Sequence, residues 1–312
     1  MLSVLAITFP IFAMVALGYG LVARGVFRPE DMKVLGRYVM NLALPALVFQ
    51  AVASSPIREV FNLSYMAIYL TGALGTMLLA FLWFSARTDP ARRGVAVMGT
   101  TCPNSGFIGY PLMLILFPDL AGRILAMNML IETVAIIPLA LILIELGKPA
   151  GAAHPLARAR QVLLGVVRRP LMIGMLAGLA VSFTGVALPG PVERVASMLA
   201  ASAAALALLV IGGALVGLPL RGNRALAGQI AAGKLLGQTA LTVLALVGLG
   251  ALGLGLEGDL RAAVILSAAM PMFTIYAVFA QEVGQEGLAS LAQLMATAAA
   301  FFTLNLLIAL LV

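Results

Sequence analysis

The run from about residue 93 to 117 is apolar enough to cross a lipid bilayer, yet its middle is built against a regular helix. It reads Thr100-Thr101-Cys102-Pro103-Asn104-Ser105-Gly106-Phe107-Ile108-Gly109-Tyr110-Pro111. Each proline removes a backbone donor and clashes with the preceding turn. The two glycines lower the cost of leaving the helix. In hydrocarbon an unpaired backbone group costs several kcal/mol, so such a break survives only where it is buried in protein or lines a water-filled cavity. A broken span of this kind is the usual pointer to a substrate site in a transporter.

The surrounding chain supplies the membrane context. Of its 312 residues 62% are hydrophobic and 10% are charged, well below the roughly 25% charged residues of soluble domains. Runs of about 20 apolar residues, the length a span needs, follow one another with short polar breaks. Ten spans are expected, near 3–23, 33–53, 64–86, 93–117, 122–146, 170–188, 193–217, 229–254, 260–282 and 289–311. Residues 1–25 read as a retained first span, because no basic residue precedes the apolar run and Arg24 and Arg28 follow it. The net charge of +7 does not point to nucleic acid, because the basic residues sit in the breaks between spans. With the amino terminus outside, fourteen of the 19 Lys and Arg residues fall on the inner side, four (Arg58, Arg123, Arg194 and Arg261) fall outside, and Lys234 lies near a helix end. That asymmetry places both termini outside a bacterial inner membrane. A single cysteine, Cys102, excludes an internal disulfide and a multi-cysteine metal site.

The longest break, 147–169, reads as a cytoplasmic linker between two five-span halves, 1–146 and 170–312. Spans one, three and five find counterparts in the second half at a constant offset, and Pro103 falls opposite Pro271 in span nine. An odd number of spans per half makes the second half enter from the opposite side, an inverted repeat. Span nine repeats the break in Ser267-Ala268-Ala269-Met270-Pro271-Met272-Phe273-Thr274-Ile275-Tyr276. A plain proline kink is the simpler reading of either proline alone; two at matched positions favour a paired break.

Three segments carry a family resemblance: Asn41-Leu42-Ala43-Leu44-Pro45-Ala46, the stretch from Asn104 to Pro111, and Ala268-Ala269-Met270-Pro271. Through them the chain resembles the auxin efflux carrier family of bacterial and plant permeases, within the larger group that includes the bile-acid sodium symporters. The resemblance covers nearly the whole chain. It implies an all-α polytopic fold of ten transmembrane helices in two inverted five-helix repeats, with broken helices four and nine crossing. It also implies a scaffold of spans 1, 2, 6 and 7, a transport domain of spans 3–5 and 8–10, and elevator-type transport. Bacterial members are similar to carriers of small carboxylates such as malonate or malate.

A break frees amides that attract anions and carbonyls that hold cations. The expected substrate site therefore takes Asn104, Ser105, Gly106, Gly109 and Pro111 from span four, and Met270, Pro271, Met272, Thr274 and Tyr276 from span nine. Asn41 and Pro45 of span two line its scaffold face, or else form a proline-eased helix with a backbone-bonded Asn. Glu132, near the middle of span five, is costly in hydrocarbon; it is a coupling candidate, or a protonated structural Glu bonded to a neighbour such as Asn128. Lys234 is expected to snorkel to the inner surface, the alternative being a pair with Glu132 or substrate. The acidic residue of the sodium symporters' span-nine crossover has no counterpart in Met270-Pro271-Met272, which shifts the expectation from sodium to proton coupling or uniport. No cofactor or metal is called for.

Other signals are weaker. Gly248-Leu249-Gly250-Ala251-Leu252-Gly253 matches a dinucleotide pattern inside a span, with no preceding strand. The pairs Gly174/Gly178, Gly213/Gly217 and Gly233/Gly237 read as close helix packing, with a homodimer contact left open. His154 reads as a solvated loop residue and Trp83 as an interfacial anchor. No H-E-x-x-H motif or paired membrane carboxylates suggest an enzyme. The expected function is a secondary transporter of small organic anions, with an anion channel or a membrane sensor on the same fold as alternatives.

Overall fold

The computed structural model describes residues 2–54, 61–147, 170–186, 188–217 and 223–312. Most of these residues are helical, with no strand among them. The helices are α1 (Leu2–Ala23), α2 (Pro29–Ala53), α3 (Leu63–Ser85), α4 (Pro90–Thr101), α5 (Ser105–Leu116), α6 (Ala121–Glu145), α7 (Pro170–Thr184), α8 (Gly190–Ala214), α9 (Arg224–Ala251), α10 (Gly258–Ala268), α11 (Tyr276–Gln281) and α12 (Glu286–Leu311). Six of them, α2, α3, α6, α8, α9 and α12, are long and apolar enough to cross a membrane. At a rise of 1.5 Å per residue, 25 residues exceed the roughly 30 Å hydrocarbon core. The apolar runs around Pro103 and Pro271 are each divided between two helices, α4 with α5 and α10 with α11. The linker from 148 to 169 with His154, and also Arg58 and Arg221, lie outside the described residues.

Large apolar side chains point outward, Phe302 at 72% exposure and Leu78 at 58% among them, while Asn128, Glu132, Lys234 and Gln238 are buried. That inverts the pattern of a soluble protein and suits lipid as solvent, where polar groups must find partners inside.

The chain forms two compact units. The first holds Met1–Asn62, Ser105–Leu130 and Gly165–Gly217; the second holds Leu63–Asn104, Ile131–Leu164 and Leu218–Val312. The division falls at Asn104/Ser105 and inside α6, so the runs expected as spans four and five contribute to both units.

In the first unit small residues set the helix spacing. A Cβ on Gly212 of α8 would lie 1.8 Å from the Val15 carbonyl oxygen of α1, and one on Gly174 of α7 would lie 2.4 Å from the Pro45 oxygen of α2. Gly178 meets Phe49 and Val52, and Gly213 meets Met32. Gly174, Gly178 and Gly213 thus pack helices closely within one chain, as expected, whereas Gly217 and Gly237, the second members of their pairs, meet nothing within 4 Å. Tyr38 with Ser202 at 3.0 Å and Gln50 with Ser197 at 2.8 Å add polar links. In the second unit α9 packs beside α3, α4 and α12. Trp83 donates to Gln229 at 3.0 Å and stacks beneath the Arg87 guanidinium at 3.4 Å, a polar and cationic setting that fits an interfacial ring.

Four helices contain a widened π-helical turn: Val39–Ala43 in α2, Ser105–Gly109 in α5, Glu132–Ile136 in α6 and Gly233–Gly237 in α9. In the first three a proline follows at the second position beyond the turn, Pro45, Pro111 and Pro138. A proline lacks the donor for the carbonyl one turn back and collides with it; widening that turn relieves both, so the helix continues. Each widened turn also carries one of the polar candidates, Asn41, Ser105, Glu132 or Lys234, and π turns are frequent at functional sites.

Candidate functional site

The site begins where α4 stops. Asp89 caps the start of α4, its carboxylate accepting from the Arg92 amide at 3.0 Å. The helix ends at Thr101 because the next residue precedes a proline, which disfavours helical backbone; Cys102 is extended, with φ −91° and ψ 106°. In the run around Pro271, α10 ends at Ala268, two residues before Met270-Pro271. The extended segments Cys102–Asn104 and Pro271–Phe273 then pass antiparallel. The Asn104 amide donates to the Pro271 oxygen at 2.8 Å, and the Phe273 amide donates to the Cys102 oxygen at 3.1 Å. Pro103 and Met272 face each other between these two bonds. That is the non-hydrogen-bonded position of an antiparallel pair, where a residue without an N–H leaves nothing unmade. The register is one residue away from the Pro103–Pro271 match that the sequence spacing suggests.

Side chains extend the crossing. Asn104 Nδ2 donates to Thr274 Oγ1 at 3.1 Å. Asn104, Met270, Pro271 and Met272 are buried, and Thr274 is partly exposed. Ser105, Gly106, Gly109 and Pro111 are buried in α5, which opens at the residue after Asn104. A Cβ on Gly106 would lie 2.9 Å from Leu44 Cδ1, so small size is needed there. Tyr276 is fully buried and its hydroxyl donates to the Val95 oxygen at 2.9 Å. Its ring lies where a Cβ on Gly99 would come within 2.5 Å of the hydroxyl oxygen. The structure thus gives Tyr276 the work of pinning the start of α11 to α4.

Asn41 is exposed and its amide donates to the Arg37 carbonyl at 2.8 Å on its own helix, the backbone-bonded alternative; Pro45 is buried against Gly174. Glu132 is 1% exposed and accepts at Oε1 from the Tyr69 hydroxyl at 2.7 Å. Asn128 is buried four residues earlier in the chain.

Lys234 departs from expectation. It does not snorkel: it is fully buried, and its Nζ donates to Gln238 Oε1 at 2.5 Å and to the Ala268 carbonyl at 2.8 Å. Gln238 Nε2 in turn donates to the Thr101 carbonyl at 3.0 Å. The two therefore cap the final carbonyls of α10 and α4, groups that a helix end leaves unpaired. The π turn and the close contact of Gly233 with Thr100 seat the side chain too deep to reach a surface.

A family model described as Membrane transport protein matches residues 3–309. The chain belongs to this family, that of the auxin efflux carriers. A Rhizobium meliloti (strain 1021) protein named "Putative malonate transporter" is 29% identical over 294 residues, covering 91% of this chain and 88% of the relative. An uncharacterized transporter of Methanothermobacter thermautotrophicus is 33% identical over 106 residues, 33% of this chain and 34% of the relative. Auxin efflux carrier component 2 of Arabidopsis thaliana is 27% identical over 150 residues, 46% of this chain and 23% of the plant protein.

For a member of a membrane transport family, Gln238, Tyr69 and Tyr65 are the residues that sequence reasoning missed. Tyr65 shares a hydrogen bond with Ser267 at 3.0 Å and stacks on Tyr69. The available signal was the four-residue spacing of Lys234 with Gln238 and of Tyr65 with Tyr69 in apolar helices, which puts each pair on one face.

Proposed function

We propose that this membrane transport protein carries small organic anions, carboxylates in the first place, across the plasma membrane as a secondary transporter or uniporter. The observation that carries the reading is the buried crossing at which Asn104 bonds both Pro271 and Thr274. The Asn104 side-chain amide and the partly exposed Thr274 hydroxyl offer donors to a negatively charged group. The name of the Rhizobium meliloti relative supports a dicarboxylate such as malonate.

In this proposal the chain makes ten crossings as two inverted repeats, with both termini outside. A scaffold of spans 1, 2, 6 and 7 supports a transport domain of spans 3–5 and 8–10, which moves the crossing between the two sides in elevator fashion. Glu132 is the proton-coupling candidate, and sodium is not required. The deciding experiment is uptake of radiolabelled malonate by proteoliposomes of the full chain. Saturable uptake that falls sharply in Asn104→Ala supports the reading. Uptake unchanged in that variant, or single-channel currents in planar bilayers, overturns the carrier assignment.

A further inference from the structure

The ends of α4 and α10 pose an electrostatic problem that Lys234 solves. Both helices stop inside the protein, and a helix C-terminus carries partial negative charge together with carbonyls that have no intrahelical donor. Two such ends beside one crossing make a place where a cation is stabilised, as half-helix ends coordinate ions in transporters. Here an ammonium is already there. Lys234 Nζ bonds the α10 end directly through Ala268, and reaches the α4 end through Gln238 and the Thr101 carbonyl. The side chain is fully buried.

We propose that the Lys234 ammonium is a built-in cation: tethered to α9, it holds the carbonyl ends of α4 and α10 together in the role of a bound metal ion, so the protein works without one. Three features of the geometry support this. The acceptors are a backbone carbonyl and an amide oxygen, the neutral oxygen donors that suit a hard monovalent cation. The carbonyls belong to two different helices, Ala268 bonded by Lys234 itself and Thr101 by the Gln238 amide that Lys234 holds, so removing it frees the α10 end and unfastens the group that caps α4. And the widened Gly233–Gly237 turn seats Lys234 at this depth, where a charged side chain without such partners is strongly disfavoured. Lys234 is a positioning residue here: it fixes the segments that carry Asn104 and Thr274.

The transport arm of the test rests on the carboxylate reading; the stability arm does not. The purified full chain is melted in sodium, potassium or choline chloride at equal ionic strength, and malonate uptake is measured in the same salts. In wild type a protein with no metal site has no cation linkage, so melting is the same in all three salts and uptake agrees within about twofold. Lys234→Ala melts lower, loses uptake, and gains a melting response to sodium over choline. Lys234→Arg keeps the charge and the indifference to salt. If Lys234→Ala gives no folded protein, Lys234→Met serves the same comparison. Wild-type melting or uptake that rises with sodium over choline overturns the proposal. So does a Lys234→Ala or Lys234→Met variant that keeps wild-type behaviour, or one that is weakened equally in every salt. Absence of wild-type malonate uptake counts against the carboxylate reading alone, because the melting comparison still decides the role of Lys234.

Discussion

Asn104 Nδ2 stands 3.1 Å from Thr274 Oγ1, across two chain segments that are also joined through the Asn104 amide and the Pro271 carbonyl. One residue thus serves the backbone of the crossing and its side-chain surface. Substituting the side chain leaves the backbone bond in place, which separates binding from folding. Asn104→Ala is expected to cut malonate uptake by about tenfold or more, the effect of losing about 1.4 kcal/mol. Melting should drop only slightly. Proteoliposome uptake beside a thermal melt checks both.

Glu132 accepts from Tyr69 while buried in the π turn of α6. Glu132→Gln keeps an oxygen for that hydroxyl and removes the ionisable group. The variant is expected to fold and to lose any pH dependence of uptake that wild type shows between pH 5 and 8, a range of the assay rather than of the protein. Glu132→Ala removes the acceptor of the Tyr69 hydroxyl bond as well, at about 1 kcal/mol, and melts lower than Glu132→Gln. Uptake profiles of equal pH dependence in wild type and Glu132→Gln would remove Glu132 from coupling.

Tyr276 donates to Val95 from a fully buried ring. Tyr276→Phe deletes that bond and keeps the packing. A stability loss of about 1 kcal/mol is expected, with KM for substrate changed less than twofold, on the order of 0.4 kcal/mol. A large KM effect with unchanged melting would instead put the hydroxyl on the substrate.

Gly212 and Gly20 form a matched pair. A Cβ on Gly212 meets the Val15 carbonyl at 1.8 Å, whereas one on Gly20 meets nothing within 4 Å. Gly212→Ala must push α1 from α8 and should cost about 3 kcal/mol or more. Gly20→Ala should be neutral or stabilising by up to about 1 kcal/mol. Melting temperatures of the two variants in one detergent test the contrast.

The Lys234 and Glu132 results bear on how far the sequence can be read. A charged residue in an apolar helix is visible at once, and its cost in lipid flags it for attention. Its partners are not visible. Lys234 finds Ala268, and Glu132 finds Tyr69, across many residues of chain. The snorkelling expectation for Lys234 failed because depth was judged along one helix, whereas a π turn and the packing of α9 on α4 determine where that side chain ends. Pro103 and Pro271 were matched by spacing, yet Met272 faces Pro103, because hydrogen bonding sets the register of crossing strands.

The sequence by itself determined that the protein is helical and membrane-embedded, because hydropathy and span length are summed along the chain. It also determined where two helices must break, because proline's missing donor is a covalent fact that no packing restores. Only the tertiary structure decided what meets at the breaks: Asn104 with Pro271 and Thr274, and the buried Lys234 with Gln238 at the ends of α10 and α4. Those meetings join residues far apart in the chain, and what selects them is the need of each buried polar group for a partner, which is met only once the helices are packed.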